Sequence, residues 1–168
     1  LKVLDSTIIV FTSDHGFQMG QFGMPEGKWN TYEHDVRVPM LIRGPGIPRG
    51  RVFEVPATHV DLMPTLLSFA GALAIPATMD GKSLSGHIQN REATTSTART
   101  DILLEYAGGD VVRYQALEDS TNNTFRALRV LDPRNNQVMY RDLLYAEYTN
   151  IDDWDFLLPP LETELFDL

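Results

Sequence analysis

The feature that most restricts this chain is an apolar run, Thr7 to Thr12, that stops abruptly at Ser13-Asp14-His15-Gly16. Its centre, Ile8-Ile9-Val10-Phe11, is β-branched or aromatic throughout, which is how a strand buried on both faces of a flanked parallel sheet reads. In open α/β sheets, ligands sit beyond the carboxyl ends of the strands. Asp14 and His15 therefore stand where chemistry is done, and a carboxylate and an imidazole can both ligate a metal. Downstream, Gly16, Gly20, Gly23 and Gly27 allow a loop to approach a small ligand closely. Lys28 follows as a point charge for an anion. The stretch reads as a metal-plus-anion site at the end of a strand.

Over a longer span, SDHGFQMGQFGMPEGKWNTYEHDVRVPMLIRGPGI (Ser13 to Ile47) resembles the C-terminal half of a type I sulfatase, with the closest likeness to glucosamine-6-sulfatases of heparan-type glycans. HVDLMPTLLSFAGALAIPATMDGKSL (His59 to Leu84) is similar to that family's helix and Asp-Gly-x-Ser-Leu turn. The resemblance covers Thr7 to Leu84 closely and the remainder loosely. It implies an alkaline-phosphatase-like α/β fold, with residues 1–98 ending the large mixed-sheet domain and 99–168 forming a small antiparallel α+β unit. It implies Asp14 and His15 as Ca2+ ligands and Lys28 as the sulfate-binding and catalytic cation. Gln18 stands where the glucosamine-6-sulfatase pattern has His, and can donate to a substrate hydroxyl or sulfate oxygen but cannot titrate. His34, in Tyr-Glu-His-Asp, is a candidate for lining a glycan subsite.

The chain has no cysteine. Disulfides and Cys-ligated zinc are thereby excluded within it. The family's formylglycine, made from the first residue of a Cys- or Ser-x-Pro-x-Arg motif, has no counterpart here either. The nucleophile and the remaining calcium ligands are expected upstream, on the N-terminal sulfatase segment that would complete the fold. These residues alone are expected to be inactive. A net charge of −9 argues against a nucleic-acid surface. An anion site must then be local, built from a metal and cations such as Lys28, Arg37 and Arg43. No apolar run approaches the ~20 residues of a membrane span, and no signal peptide is evident.

Along the chain, Leu1 to Ser6 reads as the end of a helix, Ser13 to Gly27 as an irregular functional loop, and Trp29 to Asp35 as a short helix. Val36 to Ile42 reads as a second strand. Asp61 is the expected N-cap of a helix ending at Gly71, chosen over Thr58 because Pro64 then falls in the first turn. Pro76 to Leu84 reads as a loop, with Asp80 as a turn residue. The polar, Thr- and Ser-rich stretch 90–100 marks a boundary. Beyond it, Ile102–Tyr106, Thr124–Val130 and Val138–Tyr148 read as strands of an antiparallel sheet.

Glu33 and Arg37 read as a structural ion pair, His59 and His87 as structural, and Asp152-Asp153-Trp154-Asp155 as a solvated loop. Asn122-Asn123-Thr124 is an N-glycosylation sequon at Asn122, in keeping with a secretory route. Two alternatives accompany a sulfatase that hydrolyses sulfated carbohydrate. One is a phosphodiesterase or phosphonate hydrolase of the same superfamily. The other is a non-catalytic secreted protein on a degenerate sulfatase fold.

Overall fold

A computed structural model describes residues 3–53, 56–89, 99–109, 111–113, 116–131 and 142–168. The polar stretch 90–98 and the first residues of the expected strand 138–148 lie outside that set. The chain divides into two compact units, Leu1–Thr12 with Met40–Thr100, and Ser13–Pro39 with Asp101–Leu168. The loop-bearing segment Ser13–Pro39 groups with the C-terminal strands.

In the first unit, β1 (Ile9–Thr12) pairs antiparallel with β2 (Met40–Arg43), Phe11 lying opposite Leu41. This corrects the reading of β1 as a parallel strand buried on both faces. Its exposure alternates, with Ile9, Phe11 and Leu41 exposed on one face. Among the described residues β2 is its ladder partner, and nothing among them covers the face that carries Ile9 and Phe11.

The helix that follows starts next to Asp61, as expected, but Asp61 makes no side-chain cap to it. A 3-10 turn, His59–Asp61, leads into α2 (Leu62–Phe69), and Thr58 is the N-cap of a capping box in which Asp61 is the third residue. Asp61 has no exposed surface. Its carboxylate accepts the backbone N–H of Thr58 at 3.0 Å and of Lys82 at 2.7 Å, and pairs with Arg99 at 2.7 Å. Thr65 Oγ1 donates to Asp61 O and accepts from Leu84 N, which ties the 80–84 turn onto the helix. Gly81 permits this: a Cβ there would lie 1.8 Å from Val60 O. After the turn, α3 (Ser85–Ile88) carries a buried His87.

In the second unit a four-stranded antiparallel sheet has the order β3 (Asp101–Tyr106), β6 (Thr124–Leu131), β7 (Asp142–Thr149), β8 (Glu162–Asp167). A separate hairpin joins β4 (Val111–Arg113) and β5 (Ala116–Asp119). One sheet face packs a core of Phe125, Ala127, Leu144 and Ala146, with Leu104, Tyr106, Tyr148 and Phe166 against it. The opposite face presents an unbroken cross-strand row, Leu103–Leu128–Tyr145–Leu165, all exposed. α1 (Glu33–Val36) is tied to the sheet by Arg129, which pairs with Glu33 and Asp142. Asn123 Nδ2 donates to Trp29 O at 2.7 Å, and the Trp29 ring lies 6.2 Å from that of Tyr106.

Two predictions follow from these contacts. Removing Asp61 leaves Arg99 without its carboxylate and two backbone donors without an acceptor, so Asp61→Ala is expected to cost about 3–5 kcal/mol in urea denaturation. The phenols of Tyr106 and Tyr148 are both pushed upward, first by burial and then by donating to Asp119 and Glu164. The folded state thus keeps protons that the unfolded chain releases near pH ~10, and the stability these groups contribute is complete below that pH and lost as it rises. Spectrophotometric titration is expected to show both phenols ionising after Tyr145, with the late step reduced in Tyr148→Phe.

Candidate functional site

The site is built on a loop that begins where β1 ends. Ser13 Oγ donates to His15 O at 2.7 Å, and Gly16 N donates to Asp35 O at 2.8 Å, laying the loop directly on α1. A Cβ at Gly16 would sit 1.6 Å from His34 O. No other residue permits that approach. Further on, Gln18 and Gly27 form a two-bond bridge, with N···O distances of 2.6 and 3.1 Å, that closes the loop on itself. Gly27 has φ +150° and lies under the Trp29 indole.

Asp14, His15 and Lys28 come together at the base of this loop. The Asp14 side chain is 82% exposed, and its Oδ2 lies 3.2 Å from His15 Nε2. His15 Nδ1 is 2.6 Å from Gly16 O, so a proton on Nδ1 leaves Nε2 as a lone pair. Lys28 Nζ meets that Nε2. An imidazole lone pair and a carboxylate oxygen side by side repel one another unless a cation stands against them, and Lys28 supplies one. Desolvation tends to raise the Asp14 carboxyl. Hydrogen bonds from the backbone N–H groups of His15 and of Asp14 itself, together with the nearby His15 ring and the Lys28 charge, outweigh it and hold the carboxyl below its ordinary range.

The same donor set answers whether a metal fits. Asp14 and His15 offer two convergent, accessible donors, too few for the six or more oxygens that calcium takes. Among the described residues no group of three His, Cys, Asp or Glu side chains could hold a metal ion. Asp14 and His15 could therefore serve only as two ligands of a site that other residues complete.

Gln18 and His34 are placed differently from one another. Gln18 has no exposed surface. Its Nε2 donates to both Asp35 oxygens, at 3.0 and 2.9 Å, and Asn30 N donates to Asp35 Oδ2 at 2.8 Å. The amide expected to face a substrate is thus committed inside the protein. Asp35, which the sequence did not single out, is the acceptor that organises the loop. Nothing local marks it, because its partner is 17 residues away. His34 is exposed, and its ring stands edge-on to Phe22 at 5.2 Å. Arg37 pairs with Glu33 at 3.1 Å, as the spacing predicts.

Asn122 is exposed and its Oδ1 accepts from Asn150 Nδ2 at 2.6 Å, while Thr124 of the same sequon is fully buried, bonded to Thr121 O and Gly108 N. Asp153 accepts the N–H groups of Leu157 and Leu158 at 3.1 and 3.2 Å, which makes 152–155 a capped turn. A cavity of about 710 Å³ in the first unit lies beside β2, His87 and Ile88; Arg43 lines it, whereas Asp14, His15, Gln18, Lys28 and His34 do not. No helix of the described residues is long and apolar enough to cross a membrane.

Because three N–H contacts converge on Asp35, Asp35→Ala is expected to destabilise the protein by about 2–4 kcal/mol. Hydrogen exchange should show the amides of Gly16, Gln18 and Asn30 losing protection first, while those of β6 and β7 keep theirs.

Residues 1–72 match the family model described as Sulfatase. N-acetylglucosamine-6-sulfatase of Homo sapiens is 42% identical over 105 residues, 62% of this chain and 19% of the relative. An extracellular sulfatase of Drosophila melanogaster is 38% identical over 144 residues, 86% of this chain and 12% of the relative. A protein solved in complex with its substrate D-glucosamine-2-N,6-O-disulfate superposes with a TM-score of 0.71 at 28% identity, covering 98% of this chain and 28% of that one. The chain thus spans between 12% and 28% of the lengths of these three. Residues 1–72 thus belong with the sulfatase family, and the chain has the alkaline-phosphatase-like α/β fold of its solved neighbours.

Proposed function

We propose that this chain is the portion of a sulfatase that contributes metal and sulfate ligands, but not the nucleophile, to the hydrolysis of a sulfate ester on a sugar. The observation that carries the reading is the meeting of Asp14, His15 and Lys28 at the base of one braced loop. A sulfate ester concentrates charge on its non-bridging oxygens, and cleavage adds charge at the departing oxygen. A fixed ammonium stabilises that charge more in the transition state than in the ground state. Lys28 is such a group, and its tie to His15 aims it at the Asp14 side of the loop. The substrate class is supported by the relative named for N-acetylglucosamine-6-sulfate and by the neighbour bound to a disulfated glucosamine.

Calcium is the metal this reading requires, held here by Asp14 and His15; when bound, it would supply positive charge against the sulfate oxygens. With Nδ1 facing Gly16 O, Nε2 is the ring nitrogen that would meet the metal, in place of the Lys28 contact it makes here. With no cysteine in the chain, the formylglycine would come from the rest of the polypeptide. A secretory route is part of the proposal, supported by the extracellular relative and by the exposure of Asn122.

The test uses the full-length polypeptide that carries these residues, assayed against a 6-O-sulfated glucosamine, an aryl sulfate and a phosphonate monoester. Lys28→Ala is expected to lower kcat/KM for sulfate release by about 10²–10³-fold, the usual loss on removing one charge-stabilising group. Asp14→Asn is expected to abolish turnover and calcium binding together. Faster turnover of the phosphonate would move the enzyme to the neighbouring reaction class. Sugar binding with no release of sulfate from any ester would assign a non-catalytic role.

A further inference from the structure

At the far end of the same loop, Phe22 has a left-handed backbone, φ 58° and ψ 17°, between Gly20 at φ +88° and Gly23 at φ +74°. A bulky aromatic residue rarely takes that conformation, and where one does, the strain tends to mark a functional site. Packing does not repay it here, since Phe22 is 81% exposed. Its ring stands 5.2 Å from His34 at an interplanar angle of 65°. It forms one wall of a groove of about 310 Å³, shared with Met24, Tyr32, His34, Leu144 and Phe166. Tyr32 in turn stacks edge-on against Phe166 at 6.0 Å. The loop therefore holds an aromatic ring out toward solvent, at a cost in backbone energy, over an apolar groove rimmed by an imidazole and a phenol.

We propose that Phe22 is a specificity-determining platform for a pyranose ring, the apolar face of the sugar lying on Phe22 while His34 and Tyr32 meet its hydroxyl edge. The assignment rests on the sulfated-sugar reading above and adds to it the residue that recognises the ring. The occupant follows from the loop itself. Closed by the Gln18–Gly27 bridge, the loop carries the cation Lys28 at its base and Phe22 at its tip. A ligand anchored by an anionic group at the base extends its uncharged part along the loop toward the tip. A pyranose has what that groove offers to meet, an apolar C–H face bounded by hydroxyls.

Phe22→Gly separates binding from folding, because glycine relieves the positive φ while removing the ring. In the full-length polypeptide, Phe22→Gly is expected to raise KM for a 6-O-sulfated disaccharide about tenfold, the size of one aromatic contact. Within the same variant kcat should stay within about twofold, Tm should not fall, and inhibition by inorganic sulfate should be unchanged, as uniform binding energy is lost. Phe22→Trp should restore KM. An unchanged KM, or a raised KM accompanied by a lower Tm, would overturn the platform and leave the sulfatase reading intact. If instead the wild type releases no sulfate, titration with an unsulfated N-acetylglucosamine disaccharide still decides it. NMR shifts confined to Phe22, His34 and Tyr32 would support the platform, and their absence would reject it.

Discussion

The carboxylate of Asp35 is the interaction on which the candidate site depends. It is nearly buried, at 4% exposure, and a carboxylate withdrawn from water is stable only where donors replace the water. Here the donors are the Gln18 amide and the Asn30 backbone N–H, so the charge that needs compensation also draws in the two ends of the loop. Asp35 contributes its main-chain oxygen to Gly16 as well. One residue thus fixes the loop twice near its start, at Gly16 and Gln18, and once just beyond its end, at Asn30. The exposed groups, Asp14, His15 and Lys28, can then be held in place without being buried.

The first unit applies the same device to a different end. Asp61 has no exposed surface and gathers two backbone N–H groups and Arg99, joining the start of a helix to a turn some twenty residues later. Both carboxylates sit where the sequence offers only an ordinary acidic residue beside a short helix. In each case burial converts a side chain suited to water into a structural hub, because the hydrogen bonds to a charged acceptor are about twice as strong as neutral ones. Asp14 is the counter-example, a carboxylate left in water and therefore available to a ligand.

Local chemistry was legible in the sequence, and long-range commitment was not. The apolar run and its abrupt stop located β1 and the loop, and the Glu33–Arg37 spacing foretold an ion pair that forms. The antiparallel sheet of the C-terminal strands was readable from alternation, although β8, ending in Glu-Leu-Phe-Asp, was not recognised as its fourth strand. The errors share a cause. β1 reads as buried because β-branched residues report a strand's preference for cover, whether or not the same chain supplies it. Asp61 stands at the N-cap position of α2 as read, but the side-chain cap is made from Thr58, where a 3-10 turn extends the helix backward. Gln18 reads as a ligand because its partner lies 17 residues away and has no signature.

The second unit is discontinuous, and that has a consequence for synthesis. The ties that anchor the segment Ser13–Pro39, Asn123 to Trp29 and Arg129 to Glu33, join residues 94 and 96 positions apart. A ribosome delivering roughly 5–20 residues per second puts roughly 5–20 seconds between the first partner and the second. Through that interval the loop bearing Asp14, His15 and Lys28 has its internal bridge and its bond to Asp35, but no sheet behind it. β1 and β2, only 28 positions apart at their nearest ends, can already have paired. The surroundings of the candidate site thus acquire their support only after the strands beyond Asp101 have been made.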